Sequence, residues 1–198
     1  MQEEDINYYY IFEEVTTSGN LEIAKWLFEI KPHGIDEINN NSVIINLCAY
    51  GHLEFLKWLF YVKPNLISLK AIDYGFNIAC RNGHIETVKW LLKIKPKLDV
   101  NIYYNNNCTF TEVCEYGRLE IAQLLLQIKP DINVSIDNDK AFWTACENGH
   151  IEIAQFLYQV KPTINIDMTK KGIPFYDYTE VTSPFTYACT KRYLNLAK

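Results

Sequence analysis

The chain has 198 residues, 48% of them apolar and 22% charged, with a formal net charge of -5. That apolar content supports a sizeable core, and the acidic balance excludes the basic stripe expected of a nucleic-acid binder. The start M-Q-E-E-D-I-N is acidic with no apolar run behind it, so it does not read as a signal peptide, and apolar runs such as Trp58–Val62 are far too short to span a membrane.

After a polar lead-in over residues 1–7, Tyr8–Thr17 reads as a first inner helix with Ile11, Phe12 and Val15 on its apolar side. Thr17-Ser18-Gly19-Asn20 is a turn. Leu21–Ile30 is a first outer helix, because Leu21, Ala24, Leu27 and Phe28 recur at helical spacing. Lys31-Pro32 ends it, since proline drives the residue before it out of the α region.

The plan then repeats. Inner helices are expected over Ser42–Tyr50 and Tyr74–Asn82, and outer helices over Leu53–Val62 and Ile85–Ile94. Gly19, Gly51, Gly83, Gly117 and Gly149 are spaced 32, 32, 34 and 32 residues apart, and Pro32, Pro64, Pro96, Pro130 and Pro162 keep step. A fixed period of this size marks a stacked-repeat protein. The units run over roughly 8–39, 40–71, 72–105, 106–137 and 138–169. An insertion at 169–182 and an incomplete unit at 183–198 follow. The expected class is an all-α repeat solenoid in which each unit touches only its neighbours.

On the outer helices Glu22/Lys25, Glu54/Lys57 and Glu86/Lys89 form i,i+3 pairs on the solvent side, each worth about 0.2–0.5 kcal/mol. Trp26, Trp58 and Trp90 share one repeat position and are read as inter-repeat packing. After each later proline comes an alternating segment: Leu98–Ile102, Ile132–Ile136 and Ile164–Met168. Period-two alternation suggests extended chain ending in an Asn/Asp-rich tip. The first two fingers are less regular, with Gly34, Asp36, Ser68 and Lys70 in apolar slots. The fourth unit carries a two-residue insertion around Tyr103–Asn107.

Six cysteines invite a disulfide reading. Five of them, Cys48, Cys80, Cys114, Cys146 and Cys189, sit three residues before the glycine position. Equivalent positions on stacked helices lie roughly 8–10 Å apart, whereas a disulfide needs Cα atoms within about 7 Å. They read as small buried thiols in a reducing, intracellular compartment. Cys108 has no assigned role. Cys48/His52, Cys80/His84 and Cys146/His150 share a C-x3-H spacing, but a structural zinc needs four ligands and each pair is a helix spacing from the next. The cysteine points into the core, and the histidine serves its turn. No metal, cofactor or catalytic residue is assigned, and no phosphate-binding or metalloprotease motif occurs.

The runs S-P-F-T-Y-A-C, A-C-R-N-G-H-I-E-T-V-K-W-L-L and A-C-E-N-G-H-I-E-I-A-Q-F-L resemble the ankyrin repeat over roughly residues 8–198. Gly51-His52, Gly83-His84 and Gly149-His150 match its G-H pair, and Glu22, Glu54, Glu86, Glu120 and Glu152 its acidic position. The T-P-L-H tetrapeptide is absent from the first five units and only loosely matched by Ser183–Thr186. Lys-Pro replaces the usual glycine after the outer helix, and Asn20, Arg118 and Tyr193 stand where His is expected. The Lys-Pro ending and the Ile/Asn/Lys bias look like the ankyrin families of giant DNA viruses of amoebae.

The resemblance implies a non-enzymatic protein-interaction module with a concave face built from inner helices and finger tips. By repeat position, the inner-helix candidates are Ala49, Tyr50, Arg81, Asn82, Glu115, Tyr116, Glu147 and Asn148. The tip candidates are Asn39, Asn41, Asp73, Asn105, Asn107, Asp137 and Asp139. Tyrosine and arginine are enriched in binding hot spots. The acidic residues of the C-terminal half suit a basic protein partner, and the viral likeness implies one from a host cell. The alternatives are an adaptor that recruits host ubiquitin-ligase machinery to a target through the 169–182 insertion or the C-terminus and, distantly, a zinc-binding protein. The half-made last unit is expected to fray or to self-associate.

Overall fold

A computed structural model describes residues 8–33, 40–64, 68–95, 103–104 and 107–164. Among these residues ten helices form five pairs: α1 Tyr8–Ser18 with α2 Leu21–Ile30, α3 Asn40–Ala49 with α4 Leu53–Val62, α5 Leu69–Asn82 with α6 Ile85–Ile94, α7 Thr109–Glu115 with α8 Leu119–Ile128, and α9 Ile136–Glu147 with α10 Ile151–Val160. Two two-residue strands, β1 Tyr103–Tyr104 and β2 Asn107–Cys108, complete the elements. The architecture is an all-α repeat solenoid. The chain divides into two compact bodies, Met1–Tyr104 and Asn105–Lys198, at the site of the two-residue insertion.

In the N-terminal body the inner helices pack in sequence, α1 on α3 and α3 on α5, and each carries its own outer helix. In the C-terminal body α7 packs on α9 in the same way, with α8 and α10 outside. The outer helices begin and end where the sequence places them, because their limits are chemical. A left-handed glycine precedes each one, and a C-cap lysine before proline closes it, its N–H bonded to the carbonyl four residues back. The inner helices vary. α5 starts five residues earlier than expected, because Ser68 Oγ accepts the Ala71 N–H at 3.0 Å and so caps it.

Ala24, Leu27, Phe55, Leu56, Leu59, Val88 and Leu91 are buried between the layers of the N-terminal body, and Val113, Leu125, Ala145, Ile153 and Leu157 in the other. Each fully buried Leu or Phe contributes about 1.5–3 kcal/mol. Cys48, Cys80, Cys114 and Cys146 lie among them as free thiols. Burial pushes the thiols of Cys48 and Cys146 up to about 12, with the Glu147 carboxylate adding to the rise at Cys146, and raises Cys80 and Cys114 too. Inter-helix spacing at one seam explains the choice of cysteine. A Cβ added to Gly75 on α5 would lie 2.7 Å from Cys48 Sγ on α3, so a small side chain faces a glycine there. Cys189 and residues 165–198 as a whole lie outside the described residues.

The tryptophan row packs between repeats as expected, except at its start. Trp58 meets Phe28 edge-on at 5.7 Å, and Trp90 meets Phe60 at 4.9 Å. Trp26 is exposed. The three outer-helix ion pairs are present at 2.8, 2.7 and 2.8 Å on the solvent side.

The finger of the fourth unit shows its alternation in burial. Ile132 and Val134 are buried and Asn133 is exposed. Its hydrogen bonds are those of turns: Ile132 N–H to Lys129 O, Ile136 N–H to Asn133 O, and Ser135 N–H to Asn133 Oδ1. At its tip Asp137, Asn138 and Asp139 are left-handed in succession, with φ of 52°, 62° and 65°. Only Asn and Asp among residues with a Cβ visit that region at modest cost, which accounts for an Asp-Asn-Asp tip. The finger segments 34–39 and 98–102 lie outside the described residues.

Candidate partner-binding surface

The inner-helix candidates sit at the C-terminal ends of α3, α5, α7 and α9, one and two residues before the turn glycine. That turn is where neighbouring repeats are joined. His52 Nε2–H donates to Thr17 O of the preceding unit at 3.0 Å, His84 Nε2–H to Ala49 O at 2.8 Å, and His150 Nε2–H to Glu115 O at 3.0 Å. A carbonyl acceptor requires the proton on Nε2. Each imidazole lies in the space that a side chain on the preceding turn glycine would fill. A Cβ on Gly117 would stand 2.7 Å from His150 Nδ1, and one on Gly19 or Gly51 would collide with His52 or His84. The glycine is thus required twice, by its positive φ and by the ring that lies against it.

This latch resolves the C-x3-H spacing. The cysteine is a protonated core thiol and the histidine's Nε2 is spent on a backbone carbonyl. Among the described residues no three His, Cys, Asp or Glu side chains gather as a metal site.

The latch sorts the candidates. Tyr50 is exposed and stacks on His52 at 5.9 Å. Tyr116 is exposed at the corresponding place in the fourth unit. Asn82 is turned inward, its Nδ2 donating to Ala49 O at 2.7 Å beside His84. Asn148 is exposed and bonds back to its own helix, Nδ2 to Thr144 O at 2.9 Å. Arg81 and Ala49 are half-buried in the N-terminal body. In the C-terminal body Glu115 and Glu147 occupy one repeat position on α7 and α9. Burial raises the pKa of Glu147, and the charge of Glu115 raises it further.

The tip candidates divide as well. Lys95, the C-cap of α6, donates to Asp73 Oδ1. Lys161, the C-cap of α10, lies 3.6 Å from Asp139 Oδ1 and also donates to Ser135 Oγ. The two pairs are equivalent, each spanning 22 residues of sequence. Asp139 is buried, and Asp73 is partly so. Both carboxylates therefore clasp an inner helix to the end of its outer helix, a role absent from the sequence reading. The recurrence of Asp with Lys at that separation was the available signal. Asp137 stays exposed. Asn41 is exposed and accepts from Ser68 Oγ at 2.6 Å. Asn39, Asn105 and the side chain of Asn107 lie outside the described residues, as do the 169–182 insertion and the incomplete unit at 183–198.

No helix among the described residues is long and apolar enough to cross a membrane. No curated protein matches the chain. The family model for ankyrin repeats (three copies) matches residues 12–104 and again residues 76–171, well over half of the sequence. With the paired helices, the left-handed turn glycines and the histidine joints, the match establishes that the chain belongs to the ankyrin-repeat family.

Proposed function

We propose that this protein-interaction module binds its partner through inner-helix surfaces, Tyr50 and Arg81 in the N-terminal body, and Glu115, Tyr116, Glu147, Asn148 and the Asp137 tip in the C-terminal body. The observation that carries the reading is the exposure of Tyr50 and Tyr116 at one repeat position, where the His84 and His150 joints form with Asn82 and Asn148 instead. Tyrosine offers large contact area at low entropic cost and is enriched in binding hot spots.

Glu115 and Glu147 give the C-terminal body a paired acidic surface beside Tyr116. A carboxylate whose ionisation is opposed by burial and by a neighbouring charge gains from a cation placed beside it. The partner segment there carries Lys or Arg. Asp73, Asp139 and Asn82 take no part in this reading, because the fold already uses them. The narrower likeness to viral ankyrin families rests on the Lys-Pro endings and the Ile/Asn/Lys bias, and a host protein as partner rests on that likeness in turn. A reducing intracellular setting is supported by the free thiols.

Affinity capture with the full chain tests the reading. Tyr50→Ala, Tyr116→Ala and the pair Glu115→Gln/Glu147→Gln should each deplete the same recovered protein, the last most strongly for a basic one. Retention of every recovered protein by all three variants overturns it.

A further inference from the structure

The pentapeptide Asn-Gly-His-Ile-Glu occurs twice, at residues 82–86 and 148–152, and each copy follows Ala-Cys and one variable residue. An asparagine before glycine carries its own chemistry. Glycine has no side chain to shield its amide nitrogen, and that nitrogen can attack the asparagine Cγ. The shared local sequence makes the two sites chemically alike, so the fold decides which one reacts.

The attack needs the glycine nitrogen swung towards Cγ. Asn148 has a ψ of 1°, which turns that nitrogen away, so the reaction waits for the end of α9 to open. Opening there breaks the bonds from Asn148 N–H and Nδ2 to Thr144 O and from Gly149 N–H to Cys146 O. All of them lie within the fifth unit, at a C-cap whose side chain is exposed. Asn82 is half-buried and still helical, one residue short of the C-cap Gly83. Its Nδ2 donates at 2.7 Å to Ala49 O of the preceding unit, and Gly83 N–H donates to both Ala79 O and Cys80 O. Freeing Asn82 therefore breaks a seam as well as a helix end. The histidine joint one residue beyond each glycine is common to both sites and does not separate them.

We propose that Asn148 is a self-modification site, deamidated by the Gly149 nitrogen, and that Asn82 is the same chemical site kept closed. The Gly149 N–Cγ bond forms and the Cγ–Nδ2 bond breaks. Nδ2 leaves as ammonia, taking the Gly149 amide proton. Water then opens the cyclic imide at either of its carbonyls, giving aspartate or isoaspartate at that position. No oxidant, reductant or cofactor is consumed. Either product adds a carboxylate beside Glu147. Isoaspartate also lengthens the main chain by a carbon, just before the turn from which His150 reaches Glu115 O.

Peptide mapping by mass spectrometry tests this on the full chain, aged at neutral pH in heavy-oxygen water and digested in ordinary water. The heavy oxygen marks conversion during ageing and separates it from conversion during digestion. In the folded chain Asn148 should convert roughly tenfold faster than Asn82, the ratio that one extra net hydrogen bond supports. In guanidinium chloride the two should convert alike, because the sequence around them is shared. Equal rates in the folded chain overturn the proposal, and so does faster conversion at Asn82. A gap that persists unchanged in denaturant overturns it too, by assigning the difference to the preceding Arg81 and Glu147 rather than to the fold. So does an Asn148 that stays intact in the folded chain after the unfolded chain has fully converted.

Discussion

Asn82 and Asn148 are the same residue at the same repeat position, and the fold uses them differently. At the seam between the second and third units, Asn82 is the last residue of α5 and crosses to Ala49 O, doubling the bond made by His84. At the seam between the fourth and fifth units, α9 stops one residue sooner. Asn148 caps it and turns back to Thr144 O, leaving His150 to reach Glu115 O. One seam has spent its asparagine on cohesion. The other keeps it at the surface beside a pair of carboxylates. Identity at a repeat position therefore does not assign a residue to binding or to scaffold, and the seam that is fastened less is the one with more left to offer a partner.

The comparison breaks most severely at the glycines. Gly51→Ala or Gly117→Ala forces a Cβ both into a left-handed turn and against an imidazole, and should cost about 2–4 kcal/mol in urea unfolding. Gly75→Ala should cost less. That glycine is helical, its Cβ would press only on Cys48, and alanine favours the helix. An equal loss at Gly75 would show that the positive φ of the turn glycines adds nothing. Next come the histidines. His150→Ala removes the donor to Glu115 O and should cost about 1–3 kcal/mol, while His84→Ala should cost about 1 kcal/mol, because Asn82 still donates to the same carbonyl. Equal losses at the two seams would show that Asn82 adds nothing.

The asparagines themselves give a smaller contrast. Asn82→Ala should cost about 1 kcal/mol and Asn148→Ala less, with partner capture weakened only by the latter. The smallest effect is electrostatic. The pKa of Glu147 is raised on folding, so the fold favours its neutral form. The stability tied to this group is present below the ordinary glutamate value of about 4.3 and is lost as pH rises through the raised folded value. Glu147→Gln should therefore stabilise the chain at neutral pH, with the gain gone in acid. A gain that persists unchanged at low pH would remove burial and Glu115 as its cause.

The architecture was legible because its signals are local. A turn glycine, a helical stripe and a Lys-Pro stop each act within a few residues, so α2, α4 and α6 fall on the bounds that the sequence predicts. What the side chains of those signals reach was not legible. From sequence His52 serves its own turn, whereas in the structure it joins the unit before it. Lys95 and Lys161 read as part of a stop, yet they hold Asp73 and Asp139, which repeat position assigns to the surface. A repeat period shows that a position matters, but it gives neither the direction of the contact nor the depth of the side chain. The exposure of Tyr50 and Tyr116 was legible for the opposite reason, as bulky residues at a position that the joint does not require.

The buried thiols have a practical consequence. Each of α3, α5, α7 and α9 carries one, and each is protonated and out of contact with water while its helix is packed. An alkylating reagent reacts with thiolate, so modification must wait for that helix to open. The cysteine column is in effect a set of clocks, one for each of the second to fifth units, and the order in which the four thiols are labelled would trace where along the chain unravelling begins.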